Sequence, residues 1–62
     1  MNKLKEVRKE KGMSRAELSV RSGVSYKLLW EYENGRREPS LATLRKITKA
    51  LGCTIDDLLK GE

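Results

Sequence analysis

The sequence predicts an all-α fold of five short helices. Apolar side chains recur at spacings of three and four residues. Residues that cap helix starts precede these segments, and glycines follow most of them. No strand is predicted, and we expect residues 1–62 to form one domain.

The first two predicted helices cover residues 2–11 and about 14–22. Leu4 and Val7 share one face of the first helix, and Gly12 follows it where a left-handed residue ends a helix. Ser14 precedes Glu17 by three residues, so its hydroxyl and the Glu17 carboxylate can each accept from an unpaired backbone amide.

The third predicted helix covers about 25–34. Ser25 can cap it, Leu29 and Tyr32 face inward, and Gly35 follows it. It is separated from the second helix by the short break Ser22-Gly23-Val24.

Two more helices follow the loop at 36–39. Ser40 can cap the fourth helix, and Gly52 follows it. Its apolar face is predicted to contain Leu41, Leu44, Ile47, Thr48 and Leu51. Thr54 and Asp57 form the capping pair of a last short helix.

Composition excludes several classes of protein. A chain of 62 residues can bury only about 60% of its unfolded surface, which leaves no room for a substrate cavity and its supporting residues, so we expect no enzyme. With one cysteine and no histidine, neither a disulfide framework nor a Cys/His zinc site can form, and we expect no cofactor. Apolar stretches reach only two or three residues, which excludes a membrane span or signal peptide and predicts a cytoplasmic protein.

The spacing of the second and third helices is that of a helix-turn-helix, in which the second of the two helices enters the DNA major groove. Gly23 supplies the positive φ of the turn, and Ser19 is small enough for the helices to cross closely. The predicted buried seam consists of Leu18, Val24, Leu29 and Tyr32. The alternative is an ordinary helical hairpin in a small bundle.

Positive charge is concentrated before the last helix. Residues 1–50 contain 13 basic and 6 acidic side chains, whereas residues 51–62 contain 1 and 3. A basic surface around a helix-turn-helix is typical of phosphate binding, although basic charge alone can simply be a solvated surface.

Several short motifs occur in order along the chain: Met13-Ser14-Arg15-Ala16-Glu17-Leu18, Gly23-Val24-Ser25, Glu33-Asn34-Gly35, Arg37-Glu38-Pro39-Ser40-Leu41 and Ala50-Leu51-Gly52. Together they resemble the Cro and phage-repressor (XRE-like) helix-turn-helix family over essentially the whole chain. The resemblance implies a five-helix, lambda-repressor-like domain of a bacterial or phage transcriptional regulator. It also implies double-stranded DNA as the partner, bound by a homodimer on a palindromic operator, and a location at the nucleoid.

The resemblance places Tyr26, Lys27, Leu28 and Glu31 toward the bases. Lys27 can donate to guanine O6 and N7, or it can contact a phosphate without reading sequence. Glu31 can accept from cytosine N4, or it can pair with Lys27 along the helix. Leu28 can contact a thymine methyl, although small polar residues are common in the family at Leu28 and at Trp30.

Phosphate contacts are expected at the start of the second helix, from Ser14 and Arg15, and just after the third helix. The candidates there are Asn34, Arg36 and Arg37. The family often has glutamine where Arg15 stands, so we expect Arg15 to lose the bracing contact that glutamine makes to the recognition helix. Asn34 can instead simply end its helix.

Other residues are given structural or partner roles. Arg8 and Glu33 match a largely buried ion pair of the family. Trp30 is expected either to cover the edge of the helix pair, to contact sugar-phosphate, or to meet a protein partner, and it cannot be fully buried together with Leu28. Cys53 is interpreted as a half-buried structural thiol.

The last helix carries three apolar residues, Ile55, Leu58 and Leu59, which are expected to pack on Leu4 and also to form a dimer patch.

The leading hypothesis is a sequence-specific regulator, a repressor, that reads the major groove. The alternative function is a protein-interaction module of the same fold that binds another regulator or a toxin. A membrane peptide is disfavoured because the caps divide the chain, and we expect no small-molecule ligand, since no residues remain for a sensor domain.

Overall fold

A computed structural model describes residues 3–59 and contains five α-helices in this range. They are α1 (Leu4–Glu10), α2 (Arg15–Ser22), α3 (Tyr26–Glu33), α4 (Leu41–Leu51) and α5 (Ile55–Leu59). The predicted all-α class is confirmed. The first helix is shorter than the predicted 2–11, and residue 2 lies outside the described part of the chain. None of the helices between residues 3 and 59 is long and apolar enough to cross a membrane.

Side-chain caps define where three of the helices begin. The hydroxyls of Ser14, Ser25 and Ser40 each accept the backbone N–H three residues later, at 3.0, 3.1 and 3.2 Å. Between residues 3 and 59, the full reciprocal arrangement forms only before α5. There the Asp57 N–H donates to the Thr54 hydroxyl, and the Thr54 N–H donates to the Asp57 carboxylate.

The predicted reciprocal cap at the start of α2 is therefore only half correct. The Glu17 N–H donates to Ser14, but the Glu17 carboxylate pairs with Arg21 one turn further along α2, at 3.0 Å. The Arg21 and Glu17 side chains are 58% and 41% exposed, so the pair is solvated and contributes little to stability.

The core lies where all five helices meet. α2 packs against α3 and α4, while α5 packs against α1 and α4, and α1 also contacts α3. The buried apolar residues of the core are Leu4, Val7, Leu18, Val24, Leu29, Tyr32, Ile47, Leu51 and Leu58. The predicted seam between α2 and α3 is confirmed, because all four of its residues are buried.

The predicted apolar face of α4 is correct in its second half and wrong at its start. Ile47, Thr48 and Leu51 are buried, and Leu44 packs partly against the core. Leu41 is 56% exposed. As the first residue of α4, directly after the exposed loop, it lies beyond the reach of the core.

Candidate DNA-binding face

The turn between α2 and α3 is held by hydrogen bonds at each step. Gly23 has φ +75°, and its N–H donates to the Ser19 carbonyl at 3.0 Å. The Ser19 hydroxyl donates to the carbonyl of Val24 at 2.7 Å, and the Val24 N–H donates to the Ser22 hydroxyl. Ser19 thus links α2 to the turn that positions α3, a role beyond the small size expected of it.

The outward face of α3 is formed by side chains on the side opposite Leu29 and Tyr32. Lys27 is exposed and Trp30 is 40% exposed. Tyr26, at the first position of α3, is 51% exposed. In a helix-turn-helix, this is the face expected to enter the DNA major groove.

Leu28 faces a different direction. It is half-buried and packs against the core, so only part of its side chain is left for a thymine methyl. As expected, Leu28 and Trp30 are not both buried, because adjacent positions of a helix point about 100° apart.

The partner of Glu31 differs from the expected one. Its carboxylate pairs with the Nε of Arg37 at 3.4 Å rather than with Lys27, and the Glu31 side chain is 18% exposed. Because Arg37 is more than half exposed and the distance is long, this pair is weak. The loop after α3 is therefore folded back toward the outward face.

Trp30 is covered by a cation from that same loop. The guanidinium of Arg36 lies 5.7 Å from the centroid of its ring. Asn34, which follows the helix, donates its side-chain N–H to the Trp30 carbonyl at 2.8 Å, as a residue that ends a helix does. Lys27, Arg36 and Arg37 thus put three cations on or beside the outward face.

Behind this face, the Glu33 carboxylate is shared by two arginines. Arg8 donates from Nε at 2.7 Å and from Nη2 at 3.3 Å, and its Nη1 donates to the Met13 carbonyl. Arg15 donates from Nε and Nη2, at 3.2 and 3.0 Å. The Glu33 side chain is 0% exposed. One carboxylate therefore joins α1, α2 and α3.

These contacts decide the charge state of Glu33. Burial acts to raise the pKa of its carboxyl group, but the hydrogen bonds from Arg8 and Arg15 outweigh burial and hold the pKa below its ordinary value. Burial likewise acts to lower the pKa of Arg15, and its bonds to Glu33 and Tyr26 raise it overall.

The expected loss of bracing at Arg15 is wrong. Besides its bonds to Glu33, Arg15 donates from Nη1 to the Tyr26 hydroxyl at 3.2 Å, and its guanidinium lies 5.3 Å from the Tyr26 ring centroid. Arg15 therefore braces both ends of α3. Its side chain is 19% exposed, which leaves little of the guanidinium for a phosphate. Neighbouring Ser14 is exposed at the start of α2.

The family resemblance placed Arg8 with Glu33, and these two side chains do meet, but the sequence offered no signal that Arg15 joins them. Arg15 and Glu33 are 18 residues apart and lie on different helices. Only the packing of α2 against α3 brings them together. The contacts between Arg36 and Trp30 and between Arg37 and Glu31 also depend on how the loop folds back.

The last helix contributes less apolar surface than expected. Leu58 is fully buried in the core of the single chain, so its assignment to a dimer patch is corrected. Leu59 is 41% exposed, and Ile55 is half-buried.

Cys53 is a free, half-buried thiol that packs against the core, and burial together with the Asp57 carboxylate raises its pKa.

Comparison with known proteins identifies the family. The helix-turn-helix family model matches residues 4–58. The chain is 36% identical over 95% of its length to the HTH-type transcriptional regulator DdrOP3 of Deinococcus deserti, and 40% identical over 86% to the uncharacterized HTH-type transcriptional regulator y4dJ of Sinorhizobium fredii. It is 39% identical over 95% to the prophage-derived uncharacterized regulator YonR of Bacillus subtilis. The matches cover 46%, 69% and 55% of these relatives, so the chain spans about half the length of two of them. The chain belongs to the helix-turn-helix family, as do these HTH-type transcriptional regulators.

Proposed function

We propose that this chain represses transcription by binding a palindromic operator as a homodimer, with α3 of each copy in a major groove. The observation that carries this proposal is the outward face of α3. It presents hydrogen-bonding side chains on a helix whose position is fixed by the turn at Gly23 and by the Glu33 cluster.

Within this proposal, Lys27 reads a base. It is exposed on the outward face, and its ammonium group can donate to guanine O6 and N7. Glu31 accepts from cytosine N4 after Arg37 moves from Glu31 to a phosphate. The Glu31–Arg37 pair is long, at 3.4 Å, and its Arg37 side chain is 59% exposed, so it opposes this exchange little.

Phosphate contacts are assigned to residues at the edges of the face. Arg36 and Arg37 supply charge, and Ser14 and Asn34 supply polar groups at helix ends. Arg15 is not among them, since its donors are used within the chain.

The size of the chain supports a dimer. The greatest extent of the described residues is 26 Å, whereas successive major grooves on one side of DNA lie about 34 Å apart. One copy carries one α3, so two copies are needed to read two grooves. We assign the contact between copies to α5, where Leu59 is exposed beside half-buried Ile55.

A repressor of this kind needs no contact except to DNA, since a dimer that occupies a promoter excludes polymerase. We propose that residues 1–62 act as one DNA-binding domain. We place the protein in the cytoplasm, where bacterial and phage operators are found. We propose that it acts by binding alone, with no catalytic step.

The test is selection of bound duplexes from a randomised DNA library at two salt concentrations. The expected result is a two-fold symmetric site, with a log K against log salt slope near −5 for roughly six phosphate contacts. Lys27→Ala should relax the preference at one position in each half-site. Lys49→Ala, which removes an exposed charge in the last turn of α4, is the matched control and should leave every position unchanged.

Failure to enrich any site would contradict sequence-specific binding. If the chain binds a protein instead, with an affinity that hardly falls as salt is raised, the interaction module is favoured. The dimer is tested separately by sedimentation of Leu59→Glu against Val20→Glu, which places the same charge on an 84% exposed residue of α2. Only Leu59→Glu should give monomers and weaken operator binding.

A further inference from the structure

We propose that Arg15 determines which bases Tyr26 can recognise. By donating to the Tyr26 hydroxyl, Arg15 makes Tyr26 a hydrogen-bond donor toward DNA, so the base that faces it must present an acceptor and cannot be cytosine. The inference rests on the proposed function, in which α3 enters the major groove.

The first step is the contact itself. Nη1 of Arg15 lies 3.2 Å from the Tyr26 hydroxyl oxygen, and the guanidinium carbon is 5.3 Å from the centroid of the ring. Arg15 thus touches both the hydroxyl and the aromatic ring. Tyr26 nevertheless remains 51% exposed at the first position of α3, so its other side is open to a ligand.

The second step is that Arg15 cannot easily turn away. Its Nε and Nη2 donate to the Glu33 carboxylate, whose side chain is 0% exposed and is also held by Arg8. Releasing Tyr26 would require moving a guanidinium that is fixed at two other nitrogens. The orientation of the donor toward Tyr26 is therefore built into the fold.

The third step follows from the chemistry of the two groups. A guanidinium has five N–H donors and no acceptor, so the phenol oxygen must be the acceptor in this bond. The single O–H proton of Tyr26 then points elsewhere. A second N–H donor would approach an oxygen already beside a positive charge, which disfavours it. Arg15 is a positioning residue in this scheme, and Tyr26 is the reader.

The fourth step is the pattern of groups in the major groove. Guanine presents N7 and O6 as acceptors, adenine presents N7, and thymine presents O4. Cytosine presents only the N4 amino donor. A tyrosine that donates and is disfavoured as an acceptor is satisfied by three bases, whereas at cytosine its oxygen would have to accept from N4 beside the Arg15 charge. The recognition is therefore an exclusion of one base rather than the choice of one.

The experiment compares sites selected by the wild-type chain, Tyr26→Phe and Arg15→Gln from one randomised library. We expect one position per half-site at which the wild-type chain depletes cytosine by about tenfold. Tyr26→Phe should make that position nearly uniform. Arg15→Gln should restore cytosine there, because an amide can accept the Tyr26 proton and free its oxygen to accept from N4. The double variant should match Tyr26→Phe.

Different failures are distinguishable. If the wild-type chain selects no site, the proposed function fails and this inference fails with it. If it selects a site but Arg15→Gln leaves every position unchanged, or if Tyr26→Phe weakens all sequences equally as a phosphate contact would, only this inference is overturned. Thermal melting of each variant verifies folding. If Arg15→Gln is unstable, Tyr26→Phe still tests the exclusion of cytosine, because it keeps the aromatic ring and removes only the hydroxyl.

Discussion

Glu33 on α3 and Arg8 on α1 form an ion pair that is shielded from water. Nε of Arg8 lies 2.7 Å from Oε2 of Glu33, and the two side chains are 7% and 0% exposed. A charge removed from water to this degree is stable only while its partner is present. The pair therefore links the position of α3 to the stability of the whole domain.

Glu33→Ala should destabilise the domain by about 3–5 kcal/mol, since it leaves the buried Arg8 charge without its partner. Arg15 would lose the same partner. Thermal and urea unfolding measure the change. Glu10→Gln, which removes an equal charge from an exposed position of α1, is the control and should have little effect. An unchanged melting temperature in Glu33→Ala would contradict the role of the cluster.

Glu33 should also make stability depend on pH in the acid range. Its pKa in the folded chain is below the ordinary value of 4.5, so its stabilising contribution is complete above pH 4.5 and is lost as pH falls through the folded pKa. Glu33→Gln should therefore reduce the loss of stability below pH 4.5. Urea unfolding between pH 3 and 6 measures this, with Glu10→Gln expected to follow the wild-type curve. A directly titrated Glu33 carboxyl with a pKa above 4.5 would rule it out.

Gly23→Ala should cost about 1–2 kcal/mol through the backbone alone. Gly23 has φ +75°, and a Cβ at this position would meet no atom within 4 Å, so there is no clash to add. Gly23→Asn should cost less, because asparagine tolerates the left-handed region better. Chemical denaturation of the two variants gives the order, and equal stability of alanine and wild type would show that the turn relaxes.

Arg36→Ala should weaken binding to all DNA sequences alike. A lost phosphate contact makes the log K against log salt slope less steep by about 0.9 and carries no base preference. The substitution also uncovers Trp30, which should appear as a change in tryptophan fluorescence. Lys49→Ala at the far end of α4 is the comparison. A slope that stays the same would place Arg36 away from the phosphates.

Local features of the fold were predictable from the sequence because they depend on neighbouring residues. Ser25 and Ser40 cap the predicted helices because a hydroxyl reaches a backbone amide only three residues away. The seam of Leu18, Val24 and Leu29 follows from helical periodicity, which places every third or fourth residue on one side. Leu41 and Leu58 show the limit of this reasoning. Periodicity gives a face but not how far along that face the neighbouring helices extend.

The sequence by itself determined the five helices, their caps, the turn at Gly23 and the basic character of the chain, since all of these depend on residue type and short spacing. Apart from the Arg8–Glu33 pair, which the family resemblance implied, only the tertiary structure decided which charges meet. It directed Arg15 to Glu33 and Tyr26 and brought Arg37 to Glu31. Long, flexible side chains can reach several partners, and which partner lies within hydrogen-bond distance depends on the positions of the helices and of the loop at 36–39.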